Sequence, residues 1–419
     1  MARRYSRTDA DRTILLVLFA YPILLLSVRH GVSVCLVVLT VTSVAYLFWL
    51  RRQDLFVWQD GDVAFALAMT SLVAATLISQ VTHSSFQLKT LDTPSRFFFA
   101  IPIYLMLRNI CVAAPRALEL GFPIGALAGL LTSISFPSQS SLNAPYFIDS
   151  INFGGAMLVL GFLSILAINW TRKDPAAVLI LKVSGFSAGI YSAVNSGARG
   201  AWIAIPVLAI LWIWYRPTGN WRGKSGAAAG AAAALMACAW FVPQIRNRID
   251  VTLSEIASTL GGFLDTNVGL RLQIWKAALQ LISQNPLAGV GPGGFPDALR
   301  AVHQSGGISS LALELGMAEM HNQILAHTVA LGILGLLAIL ASYLVPLILS
   351  VKATQSSDPI KRTAAVMCTF VVVSYLIFGL TVETFSLKMI ATFYAMTVAI
   401  LLGIARNTAK ETTLFAGGR

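Results

Sequence analysis

Charge is scarce in this sequence. Of 419 residues only 11% are charged while 56% are hydrophobic. An ordinary soluble domain is about 25% charged and about 45–50% apolar, so a soluble enzyme is excluded. Cysteine is nearly missing: Cys35, Cys111, Cys238 and Cys368 lie far apart in or beside apolar runs, with no CxxC spacing. That excludes a zinc finger or a dithiol redox centre. No GxxxxGK[ST] run occurs, which removes a P-loop nucleotide site. No DxD or paired carboxylates stand on the side assigned below as exported, so metal-dependent sugar transfer has no acid pair there. His321 and His327, read as helical neighbours six apart, would diverge by about 120° and so form no chelating pair.

What is present is apolar sequence in long runs. A membrane span needs about 20 predominantly apolar residues, and twelve stretches qualify: 13–29, 32–50, 62–80, 96–112, 117–135, 151–169, 176–194, 200–215, 225–241, 323–349, 363–381 and 386–404. The Arg-rich start followed by Ile14 to Val28 lacks a small-residue cleavage site, so it reads as a retained first helix. The net charge of +12 could attract phosphates, but the basic residues cluster between apolar runs, as they do when Lys and Arg hold loops in the cytoplasm. With a cytoplasmic N-terminus, nineteen of the 30 basic residues fall inside. Both termini are then cytoplasmic, and no nucleic-acid partner is expected.

One connection is long. Residues 242–322 form an exported segment far beyond the about 12–15 residues of an ordinary loop, which gives three parts: spans at 1–241, a loop subdomain at 242–322, and spans plus a cytoplasmic tail at 323–419. Helical apolar spacing predicts helices over Val251–Leu260, Gly269–Ser283 and Leu311–Met320. Between them Asn285 to Phe295, rich in Gly and Pro, reads as a shaped turn.

Ionisable groups at the membrane are functional candidates by default. Arg199 sits among small residues in Ser196-Gly197-Ala198-Arg199-Gly200-Ala201-Trp202, where a guanidinium can fork two phosphate oxygens; a snorkelling interfacial Arg is the bland alternative. Arg271 and Trp275 share a helix face, with Arg271 expected in the first turn, where amides also favour anions. His321 can exchange a proton near neutrality, and Asn322 can orient a substrate or simply cap the tenth span. Trp202 and Trp275 could position a sugar or lipid, and Lys89 and Arg96 could meet acceptor phosphates; packing and interfacial anchoring are the competing readings.

The ordered set Ser196–Trp202, Gly269–Trp275, Asn285–Phe295 and His321-Asn322 followed by Leu331-Gly332-Ile333-Leu334-Gly335 resembles the O-antigen ligase family, whose relatives include O-antigen polymerases and protein O-oligosaccharyltransferases. The resemblance covers roughly residues 190–340. It implies an all-α polytopic glycosyltransferase of GT-C-like architecture in the bacterial inner membrane, with its active site facing the periplasm and both termini cytoplasmic. It implies transfer of a glycan from undecaprenyl pyrophosphate to lipid A-core, metal-independent and inverting, with no cofactor. Arg199 and Arg271 would engage the pyrophosphate and His321 the acceptor. A secondary transporter or flippase is the alternative of a different class, suggested by twelve spans and by buried polar residues such as Lys182.

Overall fold

The computed structural model describes residues 7–408 except 55, 57, 110–112, 138–143, 198 and most of 216–242. The expected ninth span, 225–241, lies mostly outside the described residues, as do Cys111, Cys238 and the side chain of Arg199. The described residues are helical and contain no strand. The first eight helices are α1 (Arg7–Ser27), α2 (Gly31–Arg52), α3 (Asp62–Thr82), α4 (Asp92–Asn109), α5 (Ala114–Ser135), α6 (Ser150–Leu166), α7 (Ala176–Asn195) and α8 (Arg199–Tyr215). After them come α9 (Pro243–Leu260), α10 (Asn267–Gln284), α11 (Phe295–Gln304), α12 (Ser310–Ala318), α13 (Gln323–Ala353), α14 (Pro359–Gly379) and α15 (Lys388–Ala405).

Seven of these, α2, α3, α5, α7, α13, α14 and α15, are long and apolar enough to cross a membrane, and α6 and α8 are shorter apolar helices. The expected count of twelve is therefore only partly met. The expected spans 13–29 and 96–112 are also helical, as α1 and α4, but α4 carries Asp92, Arg96 and Arg108 and α1 carries Asp11 and Arg12. Helix α2 shows what a lipid solvent selects. Val34, Val37, Val41 and Val44 are exposed along one stripe while Val32, Cys35, Leu36 and Leu39 are buried on the other, so both faces are apolar, as only a membrane tolerates. The chain is a multi-pass membrane protein.

Helix α15 forms the axis of the bundle, buried from Ile390 to Ala405 and packed on α4 and α14. Connections alternate between two ends. At one, Asp62 accepts the Tyr104 hydroxyl at 2.7 Å and pairs with Arg108 at 3.0 Å, and the Trp170 indole donates to the Ile360 carbonyl at 3.0 Å. Lys182 belongs here too, fully buried against Asp174 at 2.8 Å and Glu119 at 3.6 Å; its charge is compensated locally, so it gives no support to a transport pathway.

The long loop folds at the opposite end around its own small core of Ile274, Ala278, Leu281, Leu299, Val302 and Ala312. It contains one helix that sequence periodicity missed, α11, whose ten residues bury only Leu299 and Val302. The Gly/Pro run after α10 docks onto a break in α13. Gly332 adopts φ 64 and ψ −150 inside that helix, a region essentially reserved for glycine. The break frees backbone groups, and the run satisfies them: Val290 and Gly291 amides donate to the Val329 and Ala330 carbonyls at 2.8 and 3.1 Å, and the Ile333 amide donates to Pro286 at 2.8 Å. Non-helical backbone at such depth is tolerated where protein covers it. A side chain from α3 ties down the same run, Ser79 donating to the Ala288 carbonyl at 3.0 Å.

Candidate active site

His321 stands on a pedestal made by two segments distant in sequence. Helix α12 ends at Ala318, Glu319 and Met320 run on toward α13, and Asn322 starts α13 by accepting the Ile324 and Leu325 amides at 3.0 Å each. The residue between is forced into the left-handed region, with φ 57 at His321. A non-glycine residue there is uncommon and points to a constrained position. His321 is therefore outside the helix, and the angular argument relating it to His327 fails because the cap, not the ring, opens α13.

Two hydrogen bonds hold the pedestal. The Trp275 indole donates to the Met320 carbonyl at 3.1 Å. The Glu383 amide donates to one carboxylate oxygen of Glu319. One residue further on, the Gln323 side-chain oxygen accepts the Phe385 amide at 2.7 Å and the Thr384 hydroxyl at 3.2 Å. Phe385 is itself wedged among Phe97, Tyr343, Tyr375 and Tyr394. Segments 319–323 and 383–385 are thus stitched together over a rigid aromatic floor.

The electrostatics follow from burial. His321 is 7% exposed, and neither ring nitrogen has a hydrogen-bond partner among the described residues. Burial, and after it the Arg271 charge, pushes the ring down to about 4, so it is neutral at physiological pH. Burial also raises Glu319, with Asp149 adding and Arg271 opposing. Burial and the charge of Glu319 push the Glu383 carboxyl up to about 7.

Arg271 sits above this pedestal. It is the fifth residue of α10, not in the first turn as expected, because Thr266 caps the helix by accepting the Gly269 amide at 3.0 Å. Arg271 lines a cleft of about 310 Å³ with Asn267, Val268, Ser150, Ile151, Ser196, Gly197, Gly200 and Thr381. Gly197 turns the chain with φ 70 between α7 and α8, and Gly200 lies so close to the Thr381 hydroxyl that a Cβ has no room. The backbone of Arg199, first residue of α8, therefore borders the cleft that Arg271 lines, though its side chain lies outside the described residues.

Other expected site residues are placed differently. The Trp202 indole donates to the Ala193 carbonyl at 3.1 Å, and Trp275 and Asn322 are engaged as above, so these three build the site's frame. Lys89 is exposed on a 3-10 turn, Leu88–Leu91. Arg96 pairs with Asp92 at 2.5 Å, and Asp92 also takes Lys388; neither Lys89 nor Arg96 lines the Arg271 cleft. Sequence reasoning missed Glu319, Gln323 and Glu383. The available signal was Glu383, the lone acid of the short turn between the last two helices; Glu319 is one of six acids in residues 242–322 and did not stand out. Among the described residues no group of three or more His, Cys, Asp or Glu could hold a metal ion.

Comparison with known proteins agrees with this geography. Residues 184–340 match the family described as O-antigen ligase, a stretch that contains the Ser196–Trp202, Gly269–Trp275 and His321-Asn322 segments. The chain is also similar to an uncharacterized protein of Haemophilus influenzae, 22% identical over 379 residues, which cover 89% of this chain and 93% of that protein.

Proposed function

With the O-antigen ligase match over residues 184–340 as premise, we propose that this chain is an inner-membrane ligase. It moves a glycan from undecaprenyl pyrophosphate to lipid A-core on the periplasmic side. The observation that carries the proposal is a cation lining a cleft beside a buried neutral base: Arg271 lines the cleft, and its charge acts on His321, whose ring nitrogens have no hydrogen-bond partner among the described residues.

The chemistry needs those groups. Breaking the anomeric C–O bond sends an electron pair onto the departing pyrophosphate, and fixed cations in a water-poor site stabilise that developing charge most. Arg271 supplies one such charge, and Arg199, at the start of α8, supplies the second. His321 accepts the acceptor hydroxyl's proton from the opposite face of the sugar, which inverts the anomeric centre.

The test uses His321→Asn, because Asn tolerates a positive φ better than Ala. Purified protein is incubated with lipid-linked glycan and lipid A-core. The wild type should yield capped lipid A-core and the variant only a small residual rate, with both equally folded. Longer lipid-linked chains without capped core identify a polymerase instead, and normal capping by His321→Asn removes the assignment of the base.

A further inference from the structure

The two carboxylate oxygens of Glu319 face different partners. One accepts the Glu383 amide, which fixes the carboxylate's orientation. The other lies 3.7 Å from Nδ1 of His321, within ion-pair range but without a hydrogen bond to the neutral ring. A base held by a carboxylate that is itself held by main chain is the arrangement that selects a histidine tautomer in hydrolytic triads.

We propose that Glu319 is a positioning residue that holds His321 in the Nδ1–H tautomer and leaves Nε2 bare to receive a proton. This inference rests on the ligase reading for the identity of the substrates, but not for the tautomer. Charged groups around the His321–Glu319 pair come from each neighbouring element: Arg271 from α10 acts on both residues, while Glu383 from the turn before α15 and Asp149 from the cap of α6 act on Glu319. Among the described residues only Glu319 has an oxygen within ion-pair range of a ring nitrogen. In transfer, the acceptor oxygen bonds to the anomeric carbon as the C–O bond to pyrophosphate breaks and its electron pair leaves with the pyrophosphate. The hydroxyl proton passes to Nε2, the contact with Glu319 shortens as the ring becomes charged, and the imidazolium then gives its proton to water.

The geometry makes the conservative variant informative. In Glu319→Gln the side-chain oxygen must still accept the Glu383 amide, so the new NH2 group faces Nδ1 as a donor. The ring then flips to the Nε2–H tautomer and can no longer accept the hydroxyl proton. The experiment is nitrogen NMR of histidine-labelled, full-length protein in detergent at pH 7.5, with His321 assigned by its loss in His321→Asn. Wild type should be protonated at Nδ1 and Glu319→Gln at Nε2. Transfer by Glu319→Gln should fall by about 100-fold or more in kcat at unchanged KM for the donor, and the same change made in His321→Asn should cause no further loss.

An Nε2–H ring in wild type, an unchanged ring in Glu319→Gln, or losses that multiply in the double variant each overturn the proposal. The wild-type spectrum alone decides if the variant fails to fold. Absence of any glycan transfer by wild type defeats the ligase reading while leaving the tautomer result standing.

Discussion

The acid side of the rate profile follows from how His321 is buried. Folding holds the ring neutral down to about 4, against 6.5 for an ordinary histidine. Between those values the unfolded chain binds a proton that the folded chain does not, so stability rises with pH across that window. The contribution is fully present above 6.5 and is lost as pH falls toward 4. Activity should obey the same group. The donor's disubstituted pyrophosphate has no proton that titrates near neutrality, so the acid limb of kcat/KM reports the free enzyme's base. That limb should lie below the ordinary histidine value of 6.5, in initial rates measured across pH. A limb at the ordinary histidine value would mean that the ring is wet and that the pedestal is open. His321 was legible in the sequence as a lone histidine beside a re-entering span. Its partners were not, because Glu383 lies 64 residues from Glu319 and only the tertiary fold makes the two carboxylates neighbours.

At the scale of elements, most helices could be read because apolar runs of membrane length leave few alternatives. One end was also legible from its cap, Asn322; the Thr266 cap was not read, and it starts α10 two residues before the expected Gly269, which puts Arg271 beyond the first turn. What could not be read is the break in α13. Leu331-Gly332-Ile333 looks like any glycine within an apolar helix, and only the docked Pro286–Gly291 run gives the break partners for its backbone groups. Gly332→Ala tests whether that joint organises the site. Alanine is excluded from this backbone region, and its Cβ would collide with the Leu287 carbonyl. A loss of about 2–4 kcal/mol is expected, read as a lowered Tm in detergent together with faster proteolysis within residues 285–294. An unchanged Tm would show that α13 can run straight and that the Gly/Pro run does not depend on it.

At the scale of the molecule, the net charge of +12 divides between two ends with different work. The end carrying Lys352, Lys361 and Arg362 collects the clusters that fix topology, and its buried charges, Arg108 with Asp62 and Lys182 with Asp174, are paired within it. The end carrying Arg271 has the cleft and the unpartnered ring of His321. The positive-inside rule then predicts that the cleft faces the periplasm, where a lipid-linked glycan could meet lipid A-core. Single cysteines decide this in a chain whose four native cysteines are replaced by alanine. Ser305, exposed just after α11, and Ser357, exposed between α13 and α14, lie at opposite ends. In intact spheroplasts a membrane-impermeant maleimide should label Ser305→Cys and should reach Ser357→Cys only after lysis. The reverse pattern would place Arg271 and His321 in the cytoplasm. The cation excess would then no longer be a topology signal, and the donor and acceptor proposed for this cleft could not meet there.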